Sequence, residues 1–196
     1  MDSQLTLVFS TSDHPASIWV FDRDDVKNAQ ISLYGTGEAL FTVKSNIHLT
    51  ETTVTRTSTG ERIATVARRD ILSDKVTFAG QKAKSVKGWL KSPKTSLFPA
   101  TFEEGGVSYT WRSSIVHQLS LVANDSPETP IAWFEDSKKR VVDGIPTITT
   151  AFLALQPDAL RIQEAVLVSF LILQHKNRMN VKANGLVAGR ATTVVV

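Results

Sequence analysis

Apolar and polar residues alternate in short runs along the first three-quarters of the chain, with turn formers between the runs. Leu5-Thr6-Leu7-Val8-Phe9 and Ser17-Ile18-Trp19-Val20-Phe21 read as opening strands on either side of Thr11-Ser12-Asp13-His14-Pro15, a turn-favouring cluster. Short strands are predicted next at Ile31 to Tyr34, Ala39 to Val43, Thr52 to Arg56, Arg62 to Arg69, Lys75 to Phe78 and Val86 to Leu90. Thr52 to Arg68 is a hairpin by pattern, because β-branched residues fill both arms and Gly60 supplies the backbone freedom of the turn. A second hairpin joins Leu97 to Phe102 and Val107 to Arg112 through Glu103-Glu104-Gly105-Gly106. Its second arm places Val107, Tyr109 and Trp111 on one face and Ser108, Thr110 and Arg112 on the other. Further strands are expected at Gln118 to Val122, Ile131 to Glu135 and Pro146 to Leu155. Many short strands at near-regular spacing point to a barrel or a sandwich.

One segment breaks this rhythm. Residues 158–179 have helical character, and the run Ala165-Val166-Leu167-Val168-Ser169-Phe170-Leu171-Ile172-Leu173 has no polar face, so protein or lipid must enclose it. A bilayer span needs about 20 apolar residues. Here Arg161, Gln163 and Glu164 precede the run, and Gln174, His175 and Lys176 close it, so enclosure by strands is the reading taken. Pro157 suits the first turn, acids sit toward the positive end of the dipole, and His175, Lys176 and Arg178 lie toward the negative end. About 22 residues at about 1.5 Å each give a rod of roughly 33 Å, close to the height of a small barrel. The expected fold is therefore mainly β: an antiparallel closed barrel around a central hydrophobic C-terminal helix. One domain covers residues 1–180, and the Gly-punctuated tail 181–196 is expected either to pair as an edge strand or to remain partly disordered.

Composition narrows the chemistry. A chain of 196 residues, 42% apolar and 21% charged, suits one globular domain. It contains no cysteine, which excludes disulfides, thiolate nucleophiles and cysteine-ligated metals. The N-terminus has no signal-peptide pattern, so an intracellular, cytoplasmic or peripheral-membrane setting is expected. Asn124-Asp125-Ser126 matches a glycosylation sequon but precedes Pro127 and reads as a loop. The formal net charge of +3 is unevenly spread: from Thr52 to Thr101 ten basic residues face three acidic ones. For that stretch as a whole, lysines and arginines on solvated strand faces are the preferred explanation.

Several segments then act together as a signature: Tyr34 on a strand, the hairpin ETTVTRTSTGERIATVARRD, the strand end Gly88-Trp89-Leu90, then GVSYTWR, PIAWFED, and the apolar helix followed by QHKNRMN. In that order, from about Ile31 to Asn180, the chain resembles a family of fungal proteins abundant in mushroom-forming basidiomycetes. That family is a domain of unknown function related in fold to the tubby C-terminal domain and the plant LURP-one-like proteins. The resemblance implies a twelve-stranded β-barrel around a central C-terminal helix. Tubby domains bind phosphoinositides through basic surface residues, so the resemblance also implies lipid binding at a membrane surface. No tubby lipid-binding motif is present, and no individual residue carries over.

Candidate chemistry is sparse. His14, His48, His117 and His175 are scattered, without His-x-His or His-Glu-x-x-His spacing, so no metal is expected. Ser113, Ser114 and His117 lie close together, with Asp125 as a conceivable third member, but no nucleophile-elbow glycines flank either serine. Tyr34-Gly35-Thr36-Gly37 lacks the third glycine and the helix of a dinucleotide loop and reads as a turn. Glu103-Glu104 and Asp22, Asp24 and Asp25 read as solvated loop acids. No cofactor and no catalytic residue are predicted. Trp19, Trp89, Trp111 and Trp133 sit in strand patterns and read mainly as packing. The constellation singled out for an anionic partner is Lys82, Lys84, Lys87, Trp89, Lys91 and Lys94, a tryptophan among lysines suited to a headgroup layer. Phosphorylation at Ser92-Pro93 would oppose such a contact. The favoured function is a non-enzymatic module for an anionic lipid or membrane surface, without a transmembrane span and without nucleic acid as partner. The alternatives are a protein-interaction scaffold and, third, a small-ligand carrier or enzyme using a barrel end.

Overall fold

The computed structural model of the protein describes residues 14–23, 25–69, 71–113, 117–142 and 145–191. The strand expected at Leu5 to Phe9 lies outside them. The first seven strands form a meander: β1 (Ser17–Phe21), β2 (Ala29–Leu33), β3 (Ala39–Ser45), β4 (Glu51–Arg56), β5 (Arg62–Ala67), β6 (Lys75–Phe78) and the two-residue β7 (Lys84–Ser85). A single helical turn, α1 (Val86–Trp89), follows. The second run comprises β8 (Ala100–Glu104), β9 (Val107–Ser113), β10 (Leu119–Ala123), β11 (Ser126–Glu135), β12 (Lys138–Val142), β13 (Ile145–Thr149) and β14 (Phe152–Leu155). Two helices end the described chain, α2 (Pro157–Arg161) and α3 (Gln163–Ala191).

Twelve strands make one antiparallel sheet in the order β7-β6-β5-β4-β3-β2-β1-β14-β11-β10-β9-β8, and β12 and β13 form a separate hairpin. The two meanders are zipped together where β1 meets β14, with Ser17 opposite Leu155 and Val20 opposite Phe152. The β4–β5 hairpin turns at Gly60, whose φ of 69° is a left-handed conformation that a side chain would strain.

The expectation of a closed barrel is met only as far as a large antiparallel sheet. Its ladder ends at β7 and β8, which are not paired as strands. β7 stops after two residues because the chain turns into α1, and the run Val86 to Leu90, expected as a strand, is helical there. Val86 and Trp89, one turn apart, both face inward. The chain then reaches β8 through a single bridge: Lys91 N–H donates to Thr101 O at 2.8 Å, and Thr101 N–H donates back at 2.7 Å.

Two other expectations change. The stretch Pro146 to Leu155 is two strands rather than one, broken between Thr149 and Phe152. The helix, expected over 158–179, is interrupted at Ile162 and extends past Met179 to Ala191. Gly185 and Gly189 each cost a helix only about 1 kcal/mol relative to alanine, too little to stop propagation from a well-anchored body.

The core surrounds α3. Residues Ala165 to Gln174 are all buried, so the helix has no solvent face over this stretch. Strands from both meanders reach it. Phe170 meets Phe134 of β11 at a ring distance of 4.5 Å, Phe21 of β1 at 5.7 Å and Trp111 of β9 at 6.2 Å. Trp111 Nε1–H donates to Ser169 Oγ at 2.9 Å, and that hydroxyl donates to Val166 O at 3.0 Å. Arg56 at the end of β4 pairs with Glu164 at 2.6 Å. Strands far apart in the ladder thus converge on one helix. On β9, Trp111 is buried as the alternation requires, but Thr110 on the opposite face is buried too, because its hydroxyl donates to Asn124 Oδ1 at 2.7 Å.

Candidate functional site

The lysines singled out from the sequence occupy the gap between the two ends of the sheet. Lys82 lies in the β6–β7 turn, Lys84 on β7, Lys87 on α1, and Lys91 and Lys94 on the segment leading to β8; all five are exposed. They do not form one cluster. Lys84 and Lys91 line a shared groove of about 290 Å³ with Ser85, Gly88, Trp89 and Glu103. The β6–β7 turn that carries Lys82 lies at the end where α3 begins, since Phe78, Ala79 and Gln81 line a cavity with Gln163 and Glu164. Lys87 lies toward the other end, close enough to Lys176 on α3 to depress its affinity for a proton.

Trp89 differs from the surface anchor that its lysine neighbours suggested. It is only 8% exposed, with its ring edge-on to Phe78 at 5.1 Å and tilted against Phe102 at 5.6 Å. Phe78 belongs to β6 and Phe102 to β8, so the indole packs the seam between the unpaired sheet ends. Its Nε1–H makes no hydrogen bond within the protein. The groove lysines are lightly held: Lys84 Nζ donates to Gln81 Oε1 at 2.9 Å, and Lys91 sits 3.5 Å from Glu103 with both side chains mostly exposed. An exposed pair of that kind contributes little and leaves the ammonium free to meet another anion.

The other sequence candidates do not assemble. His117 precedes β10, and Asp125 follows it, so a five-residue strand of roughly 17 Å separates them. His117 instead places Nδ1 2.9 Å from Glu135 Oε1 and stacks on Trp133 at 5.2 Å. Ser114 lies outside the described residues. Gly35 and Gly37 are turn glycines with φ of 90° and 71°. Among the described residues no three His, Asp or Glu side chains gather as a cation site.

A basic cluster that sequence reading missed lies where α3 leaves the core. Burial, then Arg68 and Lys27, push the His175 imidazole down to about 4, while Asp74 and Asp25 oppose the shift. Burial also lowers Lys176, with Asp74 opposing and Lys87 adding to it, and burial lowers Arg68 against the pull of Asp74. Arg68 is held by donating from Nη1 to Leu49 O at 3.0 Å and to Thr52 Oγ1 at 2.8 Å. These residues come from four separate elements, so no sequence window brings them together.

This arrangement defines a class: an antiparallel sheet packed about a buried C-terminal helix, with cations at its seam and at the helix exit. Among the described residues no helix is long and apolar enough to cross a membrane. The chain belongs to the family of unknown function DUF6593, whose model matches residues 24–179. No curated protein matches it. Among solved structures, an X-ray structure of an Arabidopsis thaliana protein is similar at 14% identity, with a TM-score of 0.44, over 82% of this chain and 91% of that one.

Proposed function

We propose that this protein is a non-enzymatic module that binds the anionic phospholipid surface of a membrane through the lysines of the segment 82–94. We propose with it that the sheet closes around α3 as a barrel of the tubby type, the seam being sealed by α1, Trp89 and the Lys91–Thr101 bridge. The observation that carries the binding reading is the shared groove. Lys84 and Lys91 both line it, neither is committed to a strong ion pair, and Lys87 and Lys94 are exposed on the same segment of chain.

Each lysine near an anionic leaflet contributes about 1 kcal/mol, screened within a Debye length of about 8–10 Å. Neutralising four of them should therefore weaken binding by a factor on the order of 10³ at low salt. The test is sedimentation with vesicles of phosphatidylcholine alone or mixed with phosphatidylserine or a phosphoinositide, over a salt series. Salt-sensitive binding to the anionic vesicles, lost when Lys84, Lys87, Lys91 and Lys94 are changed to Gln, is the expected result. Equal partitioning to neutral and anionic vesicles overturns the reading. Capture of a protein partner that survives the four substitutions points instead to a scaffold.

A further inference from the structure

Among the described residues, the exposed large apolar side chains are not scattered. Among the described residues, the large apolar side chains left in water are Tyr34, Ile47, Leu49, Ile71, Leu72, Met179 and Val181. All but Tyr34 lie at one end of the molecule. Ser45 pairs with Thr52 and Glu51 with Ala67, so the β3–β4 and β5–β6 loops leave the same end of adjacent hairpins. The Arg68 N–H donates to Thr50 O at 2.7 Å and its guanidinium reaches Leu49 O, which ties the two loops together. α3 emerges beside them, because His175 feels the charges of Arg68 and Lys27. Met179 and Val181 follow within two turns.

The exposures are extreme for aliphatic side chains: 91% at Ile47, 97% at Ile71 and 64% at Leu72. Isolated exposed leucines and isoleucines are ordinary on any surface, but a set confined to neighbouring loop tips marks an interaction surface. The groups behind the tips indicate its partner. Lys44, Arg69 and Lys87 are exposed there, and Lys27, Arg68, Lys75 and Lys176 are half-buried. Among the described residues, the acids at this end are Asp22, exposed and 3.1 Å from Arg23, Asp74, which accepts from the Arg69 N–H at 3.1 Å, the half-buried Asp25 and the exposed Glu51. Half-dehydrated cations behind apolar tips match the layering of a bilayer interface, with phosphates outside and acyl chains within.

We infer that this end of the protein docks on an anionic bilayer, with Ile47, Ile71 and Leu72 inserted at the boundary between headgroups and acyl chains and Lys44, Arg68, Arg69 and Lys87 at the phosphates. The inference rests on the lipid-surface reading above and names which part of the molecule enters the membrane. Lys87 belongs to both surfaces, so the seam groove lies along the flank of the docked end.

A chain without cysteine allows a direct test by single labelling. Full-length Ile47→Cys, Ile71→Cys and, at the opposite end, Ser58→Cys are labelled with an environment-sensitive fluorophore and mixed with phosphatidylcholine–phosphatidylserine vesicles, with co-sedimentation measured on the same samples. Blue-shifted emission at positions 47 and 71, quenched by acyl-chain-labelled lipid and absent at 58, is the expected result. Ile47→Asp with Ile71→Asp, in unlabelled protein that keeps its thermal transition, should lower partitioning by about tenfold or more per residue. Protein that sediments with the vesicles while both labels stay in water overturns the insertion and leaves the lysine reading intact. Protein that does not sediment at all removes the lipid reading and the insertion together. A dimer in solution that Ile71→Asp dissociates overturns the inference in favour of a second copy as the occupant.

Discussion

Phe170 sits at the point where the enclosed helix meets the sheet from several directions, and its removal gives the sharpest energetic test. The side chain is fully buried and packs on Phe134, Phe21 and Trp111, rings that belong to β11, β1 and β9. Phe170→Ala removes the transfer free energy of the ring, leaves a cavity that three rigid aromatic neighbours cannot close, and forfeits aromatic pair terms of about 0.5–1.5 kcal/mol each. Burial of this completeness places the cost at about 3–5 kcal/mol, a large share of a typical stability of about 5–15 kcal/mol. At this chain length about 1 kcal/mol moves the midpoint by roughly 2–4 °C, so Tm should fall by roughly 6–20 °C. Urea unfolding followed by both tryptophan fluorescence and far-UV circular dichroism checks this, with an unchanged m-value showing that stability alone has moved. Met179→Ala, on the exposed part of the same helix, should stay within about 0.5 kcal/mol of the parent. If Phe170→Ala cost less than about 1 kcal/mol, or no more than Met179→Ala, the helix would not be enclosed by the sheet.

Three further outcomes are expected. Ser169→Ala orphans the buried Trp111 Nε1–H and should cost about 1–3 kcal/mol by urea unfolding, whereas a loss below about 0.5 kcal/mol would show that this bond does not join sheet to helix. His175 is neutral in the folded protein down to about pH 4 and takes up a proton near 6.5 once unfolded, so the unfolded state is favoured progressively as pH falls from 7 toward 4. After discounting for partial exposure, that amounts to about 1 kcal/mol between pH 7 and pH 5. A ring titration by NMR near 6.5 would refute it, and His175→Gln should flatten the slope. Trp89→Phe forfeits no hydrogen bond, so it should cost on the order of 1 kcal/mol and leave anionic-vesicle binding unchanged. A selective loss of binding without loss of stability would instead give the indole a direct part in contacting the ligand.

The parts of the fold that were legible in the sequence are those with a strong local period. β-branched alternation located β1, β4, β5, β6 and β9 to within two residues, and the absence of a polar face from Ala165 to Leu173 marked the enclosed helix. Period failed where a window was too short to discriminate. Val86 to Leu90 is only five residues long, and its inward-facing Val86 and Trp89, three apart, suit one helical turn. β11 begins at Ser126, earlier than its apolar run, because Pro127 and Pro130 hide strand character that backbone pairing with β10 supplies. The lysines were found by proximity in sequence, yet only Lys84 and Lys91 among them line a common groove. Arg68, His175 and Lys176 escaped notice because their meeting depends on where α3 leaves the sheet, a tertiary fact with no local trace.

Amide hydrogen exchange along α3 tests the enclosed helix most directly, since both the seam and the docking end take their positions from it. The amides of Val166 to Leu173 should exchange only through global unfolding, in the slowest class together with central sheet positions such as Ala132 and Leu153, while those beyond Met179 exchange far faster. Exchange of Val166 to Leu173 orders of magnitude faster than Ala132 and Leu153 would contradict enclosure of the helix by the sheet.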